Sequence, residues 1–183
     1  LAIALSVAML LGIERLRQDA RSGFAQAVSG TDLVVGARTS PLQLMLYAVF
    51  RLGEPTANMA WSSVEHLAQH PAVAWVVPIS LGDTHRGFSV IGTHADYFRH
   101  FRYGEAQTLG FRAGRPFSAL FDTVIGAEVA ERLGYRLGER ITLNHGSGDI
   151  ALAEHADKPF TIVGILARTG TPVDRSVHVS LEA

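Results

Sequence analysis

Eight histidines are spread through the 183 residues, and histidine is the side chain that most readily binds a metal or moves a proton near neutral pH. His66 and His70 stand four apart in SSVEHLAQH, so a helix would carry both on one face. The zinc-hydrolase pattern, however, sets its glutamate immediately after the first histidine, whereas Glu65 here precedes it. A solvated helix face near a C-terminus, where a histidine is electrostatically welcome, fits the pair better. His145, Glu154, His155 and Asp157 share the polar stretch NHGSGDIALAEHADKP and are a donor set that a divalent ion would accept, although such loops are common without one. His85, His94 and His100 lie among aromatic and arginine residues and suggest no ligand set. Gly146-Ser147-Gly148 has the wrong spacing for a hydrolase nucleophile turn. Lys158 is the single lysine and follows no glycine-rich phosphate loop, so the chain itself has no nucleotide-binding signature. With no cysteine, disulfides, thiolate metal sites and thiol catalysis are excluded.

The formal net charge is −1, which gives the surface no general pull toward nucleic acid or an anionic membrane. Tyr97, Phe98, Phe101 and Tyr103, interleaved with Arg99 and Arg102, have the composition of a base-stacking platform. Near-neutral charge favours another reading, in which the aromatics pack a junction and the arginines snorkel outward. Apolar residues make up 48% and charged residues 18%, enough for one large domain or two small ones with a real core.

The elements that would position these groups are short. The stretch TDLVVGA reads as a buried strand. In SSVEHLAQHPAVAWVVPIS, Ser62 and Glu65 form a capping-box pair, Pro71 stops the helix, and a strand follows from Val73 to Ile79. RGFSVIGT alternates as a strand does, and DYFRHFRYGE makes a turn or a single helical turn. DTVIGAEVAERLGYRLGERITL predicts strand, helix, glycine stop and strand, with Ala127, Ala130 and Leu133 facing inward, Glu128 and Arg132 paired outside, and Gly134 as a left-handed cap. FTIVGIL and RSVHVSLEA read as the last strands. The fold class is therefore α+β, without the regular βαβ repeat of a doubly wound sheet.

The first thirteen residues, LAIALSVAMLLGI, carry no charge. As a helix they span about 20 Å, against roughly 30 Å of bilayer hydrocarbon. A buried helix and the outer end of a membrane helix are both open readings, and the second is preferred. Beyond them, Leu16, Ala20, Gly23 and Ala27 recur at spacings of three and four as a narrow seam, either a stalk that meets another helix or an amphipathic helix on its own domain. The stretch PLQLMLYAVFRLGEP is apolar on nearly every face. Its Leu42, Leu44, Leu46, Val49 and Phe50 serve either core packing or contact with a membrane surface, a partner or a hydrophobic substrate.

In this order, the apolar helix, the charged stalk, DLVVGA, PAVAWVVPIS, VIGTHADYF, the Gly-Arg-x-Phe element at Gly114 to Phe117, VIGAEVAERLGYRLGERI and FTIVGIL together resemble the periplasmic core domain of MacB-type ABC transporter permeases, a superfamily that includes FtsX-like and LolC-like members. The resemblance covers nearly the whole chain. It implies an N-terminal membrane-helix end and stalk (1–28), a ferredoxin-like porter subdomain (29–108), a second β-rich subdomain (109–160), and return strands to the porter (161–183). It further implies a non-enzymatic domain facing the periplasm or cell exterior at a bacterial inner membrane, with membrane helices before and after this segment. ATP would be used by a separate ABC ATPase subunit or domain, with no cofactor in this chain. The parent would be a homodimer, open to a periplasmic or outer-membrane partner, and would not engage nucleic acid. The alternatives from other classes are a membrane-tethered, metal-dependent hydrolase built on the loop around His145, His155 and Asp157, and a ligand-sensing domain.

Overall fold

The structure is a computed structural model and describes residues 2–53, 57–145 and 158–183. Helix α1 runs over Ala2–Ala27, α2 over Pro41–Ala48, α3 over Trp61–Ala68, α4 over Asp96–His100 and α5 over Ala127–Leu133. The strands are β1 (Ile79–His85), β2 (Phe88–Thr93), β3 (Arg102–Tyr103), β4 (Gln107–Thr108), β5 (Phe111–Gly114), β6 (Asp122–Ile125), β7 (Arg140–Ile141), β8 (Asn144–His145), β9 (Phe160–Leu166) and β10 (Ser176–Ser180). Eight of them form one mixed sheet in the order β5-β9-β6-β10-β2-β1-β8, with β7 beside β9; β3 and β4 make a separate small ladder. Strands drawn from 29–108, 109–160 and 161–183 thus stand side by side in the same sheet. The pairs β10/β2 and β6/β9 are parallel and the rest antiparallel.

Both faces of the centre are covered, as a sheet with parallel pairs requires. On one face Val177 and Val179 of β10, Phe88 and Val90 of β2, Ile125 of β6 and Ile162 of β9 pack with Val129 and Ala130 of α5. On the other, Tyr97 and Phe98 of α4 pack with Leu109, Phe117, Val124, Leu166 and Val173. Strand alternation sends odd and even residues of β10 to different cores. A bulge in the β6/β9 ladder, where Thr123 opposes Ile162 and Val124 opposes Gly164, lets Ile162 and Ile165 reach the same core.

The central and C-terminal elements form where their patterns predict. Ala127 and Ala130 of α5 are buried, Glu128 meets Arg132 at 3.4 Å, and Gly134 caps the helix at φ 71°. The early elements differ. Residues 31–36 join no ladder, and Leu33 is 79% exposed, so the expected buried strand is absent; β propensity cannot supply a partner edge. Residues 73–77 are likewise outside the ladder, and pairing begins at Ile79, just past Pro78, which has no N–H to donate. The capping box expected at Ser62 and Glu65 is also absent: α3 starts at Trp61 with Ala60 as an N-cap that makes no side-chain bond. The capping box that does form is Ser40 with Gln43, ahead of α2, with Pro41 in the first turn.

The Gly-Arg-Pro-Phe element is a tight crossing. Gly114 has φ 77°, and a Cβ there would stand 2.0 Å from the Val163 carbonyl oxygen. Arg115 then donates its amide to that same oxygen at 3.0 Å and places its guanidinium 3.2 Å from Asp122. Burial would raise the Asp122 pKa, but the amides of Ser118 and Ala119, each 3.1 Å away, and the Arg115 charge outweigh burial and hold it below its ordinary value.

Two of the described histidines lie in the interior. His85 is held between the Thr142 carbonyl (2.6 Å from Nδ1) and the Tyr135 hydroxyl (2.9 Å from Nε2), and burial lowers its pKa although the Thr142 bond opposes the shift. His178 is fully buried, its Nδ1 3.1 Å from the Val124 carbonyl, and burial depresses its pKa to about 3.

Replacing Gly114 with alanine forces both a left-handed non-glycine residue and a backbone collision; chemical denaturation should show a loss of at least about 2 kcal/mol. An unchanged midpoint would show that the crossing is loose. Acid should also destabilise the fold. Below pH 6.5 the unfolded chain takes up a proton that native His178 refuses, so stability is full above that pH and falls as pH drops toward 3. His85 and Asp122 act in the same direction, Asp122 at lower pH. From pH 6.5 to 4.5 the His178 contribution alone amounts to about 2–3 kcal/mol. Unfolding curves across that range should show this slope, and His178→Gln should flatten it; equal slopes in both proteins would contradict the assignment.

Candidate coupling and contact surfaces

Two of the surfaces expected to act on something outside the domain are helical, and both come early in the chain. Helix α1 is 26 residues long and carries Leu16, Ala20, Gly23 and Ala27 on one continuous element. Ala27 is 4% exposed and Gly23 half-buried, so the last turn is seated on the domain; of Leu16 and Ala20 only the backbone is described. The seat includes a backbone bond from the Ser29 amide to the Arg102 carbonyl at 2.9 Å, which ties the helix exit to β3. At the other end Ile3, Leu5, Met9, Leu10, Leu11 and Ile13 are all more than 60% exposed. An unbroken row of this kind on a soluble surface signals a contact the chain does not make with itself. Among the described residues no helix is long and apolar enough to cross a membrane.

Of the five apolar candidates around α2, the structure divides one from four. Val49 is 4% exposed and belongs to the interior, so it offers nothing to a partner. Leu42 is 61% exposed, while Leu44, Leu46 and Phe50 are half-buried. Leu44 lies against Gly36 of the preceding extended segment, and Tyr47 lies against Gly53, so the segment folds partly on itself. Leu33, Val35 and Leu52 add exposed apolar area to the same stretch of chain.

The aromatic group does not form a platform. Tyr97 and Phe98 are buried in the core on the α4 side, with Phe101 and Tyr103 packed against them, and the ring of His178 lies 5.2 Å from Tyr97 and 5.6 Å from Phe98. The other histidines here make ring contacts: Trp75 stacks on His100 at 4.8 Å, and Trp61 meets His94 edge-on at 6.0 Å. These two contacts hold the α3 region over α4. His66 and His70 remain on exposed positions, and His70 Nδ1 accepts the Ala72 amide at 3.2 Å. Glu154, His155 and Asp157 lie outside the described residues, as does Ser147; among the described residues no three potential ligands converge.

Two further features, apart from one ion pair of the second, carry no signal in the sequence. A hollow of about 260 Å³ lies beside the sheet, lined in part by Ser80, Asp83, Phe121, Leu143, Lys158 and Phe160. A surface ion network joins Glu131 to Arg112 and Arg168, and Glu128 to Arg132 and Arg175. Its members come from β5, α5 and the β9-to-β10 connection, so sequence spacing reveals only the Glu128–Arg132 pair.

A model of the MacB-like periplasmic core domain matches residues 1–183. No curated protein matches the chain. Among solved structures, the extracellular domain of the noncanonic ABC-type transporter YknZ from Gram-positive bacteria aligns at 16% identity with a TM-score of 0.43, covering 66% of this chain and 61% of that one. The periplasmic region of MacB from Actinobacillus actinomycetemcomitans aligns at 14% identity with a TM-score of 0.47, covering 72% and 59%. The chain spans roughly three fifths of the length of these two domains. With the family model matching from the first residue to the last, the chain belongs to the MacB-like periplasmic core domain family.

Proposed function

We propose that the chain is the extracytoplasmic domain of an ABC transporter permease, which passes motion driven by a cytoplasmic ATPase to a substrate or partner outside the inner membrane. The observation that carries this reading is α1: an apolar, exposed N-terminal half continues without a break into a last turn seated on the domain. A single helix can thus bring a displacement from a membrane to the domain, where it meets the small β3/β4 ladder. The family assignment supports the same placement, because the family is described as a periplasmic core domain.

In this account the exposed end of α1 lies in the membrane or at its surface, and the seam through Leu16, Ala20, Gly23 and Ala27 is the coupling element. ATP acts on a separate subunit or domain, and the parent transporter works as a homodimer. Leu42, Leu44, Leu46 and Phe50 supply the contact surface, whereas Val49 anchors it from within. The outcome is export or extraction of a substrate, or control of a periplasmic partner.

Proline at position 20 tests the coupling. It removes one backbone hydrogen bond from α1 and clashes with the carbonyl one turn earlier, a local cost of about 3 kcal/mol. Both cores lie wholly beyond Gly30, so the domain should still fold. In the full-length transporter, Ala20→Pro should leave expression and nucleotide binding intact and abolish the ATP-dependent extracytoplasmic activity. Normal activity in a well-expressed mutant would show that α1 is a passive tether.

A further inference from the structure

Among the described residues, three buried polar atoms are without hydrogen-bond partners: Arg51 Nε, Tyr97 Oη and His178 Nε2. They come from three separate elements, the turn after α2, helix α4 and strand β10. Buried polar atoms are ordinarily paired, so three orphans in one neighbourhood call for a common explanation. The His178 and Tyr97 rings are 5.2 Å apart, and the Arg51 guanidinium comes near enough to Tyr97 and His178 to act on both, while the three orphaned atoms themselves stay unpaired.

Their donor and acceptor capacities match one to one. A carbonyl can only accept, so the contact of His178 Nδ1 with the Val124 carbonyl puts the ring proton on Nδ1 and leaves a lone pair on Nε2. The Tyr97 hydroxyl can give its proton to that lone pair and still accept another. Arg51 Nε–H is a donor with no other partner, since its neighbour Nη1 is the atom that donates to the Ala48 carbonyl.

The backbone around Arg51 is shaped to present this side chain. Arg51 itself has φ 58°, a left-handed conformation that costs a non-glycine residue free energy, and Gly53 follows at φ 80°. Such a conformation persists where the surroundings over-determine it. Little else fixes the segment: no residue of α2 is fully buried, and between residues 31 and 53 only Val49 is.

We propose that Arg51, Tyr97 and His178 form a buried hydrogen-bonded latch, Arg51 Nε–H to Tyr97 Oη and Tyr97 Oη–H to His178 Nε2, which docks residues 31–53 on the sheet and whose release frees them as a unit. The latch ends on β10, so the segment that follows α1 is tied to the centre of the sheet through one arginine. When the latch opens, the half-buried faces of Leu44, Leu46 and Phe50 become available. This deepens the coupling reading but does not depend on it, because the latch is a property of the isolated fold.

Amide hydrogen exchange on the intact chain tests it. The amides of Val49, Phe50 and Leu52 donate to the Met45 and Leu46 carbonyls and report on this segment. In Tyr97→Phe and in Arg51→Leu they should exchange at least about tenfold faster, while those of Ile91, Val124 and Val177 stay as protected as in the parent. Tyr97→Phe keeps the ring and its packing, and serves alone if Arg51→Leu does not fold. A nitrogen-15 spectrum supplies a readout that lost packing would not move: His178 Nε2 should shift in Tyr97→Phe, because it loses its donor. Unchanged exchange at 49–52, equal acceleration in the sheet, or an unmoved Nε2 resonance would each overturn the latch.

Discussion

Strand β10 is the constraint on which the rest of the molecule depends. It pairs in parallel with β2 and antiparallel with β6, and its residues Ser176 to Val179 are all buried. A strand enclosed in this way must satisfy its backbone through its two neighbours and its side chains through two different cores. Val177 and Val179 meet the helix α5 side, while His178 meets the aromatic rings of α4. It thus gives two valines to one core and a ring contact to the other. Because β10 pairs with β2 and β6, the sheet closes by contacts between residues far apart in sequence, the slow and cooperative kind.

The surrounding irregularities serve that closure. The left-handed crossing at Gly114 lets β5 lie against β9, with the Arg115 amide bonded to Val163. Asp174, buried in the turn before β10, accepts the amides of Thr169 and Gly170 at 2.8 Å and the Thr169 hydroxyl at 2.9 Å. These bonds fix the entry of β10 into the sheet, in the way a capped turn fixes a strand start. The ion network across Glu128 and Glu131 ties α5 to β5 and to the same connection, but its members are about half exposed, so each pair adds little to stability.

The sequence made the later elements legible and the earlier ones less so. Helix α5 announces itself through apolar spacing, an external charge pair and a glycine stop, and β9 and β10 through runs of β-branched residues, because in each the local preference agrees with the tertiary demand. At 31–36 and 73–77 the residues have strand character, but strand formation is a question of available edges, which no local pattern records. The capping pattern is met by both SSVE and SPLQ, but α3 starts at Trp61, so Ser62 lies inside the helix and cannot cap it, whereas Ser40 stands just ahead of α2. His178 carries no mark of its own in the sequence. Alternation in RSVHVS puts it on one face of a strand, but its burial follows from α4 covering that face. The seam of α1 and the apolar character of α2 were visible as patterns, whereas the burial of Val49 alone among the five candidates required the packed structure.

The coupling proposed above requires a domain that holds its shape while it moves, a role the sheet assembled around β10 would fill. The most direct measurement is native-state hydrogen exchange of the Val177, His178 and Val179 amides as a function of denaturant. If the sheet is one unit, these amides exchange only through complete unfolding, so their opening free energy equals the global value and shares its full denaturant dependence. Opening at substantially lower free energy with weak denaturant dependence would mean that β10 detaches locally, and the sheet could not then act as a single transmitting body.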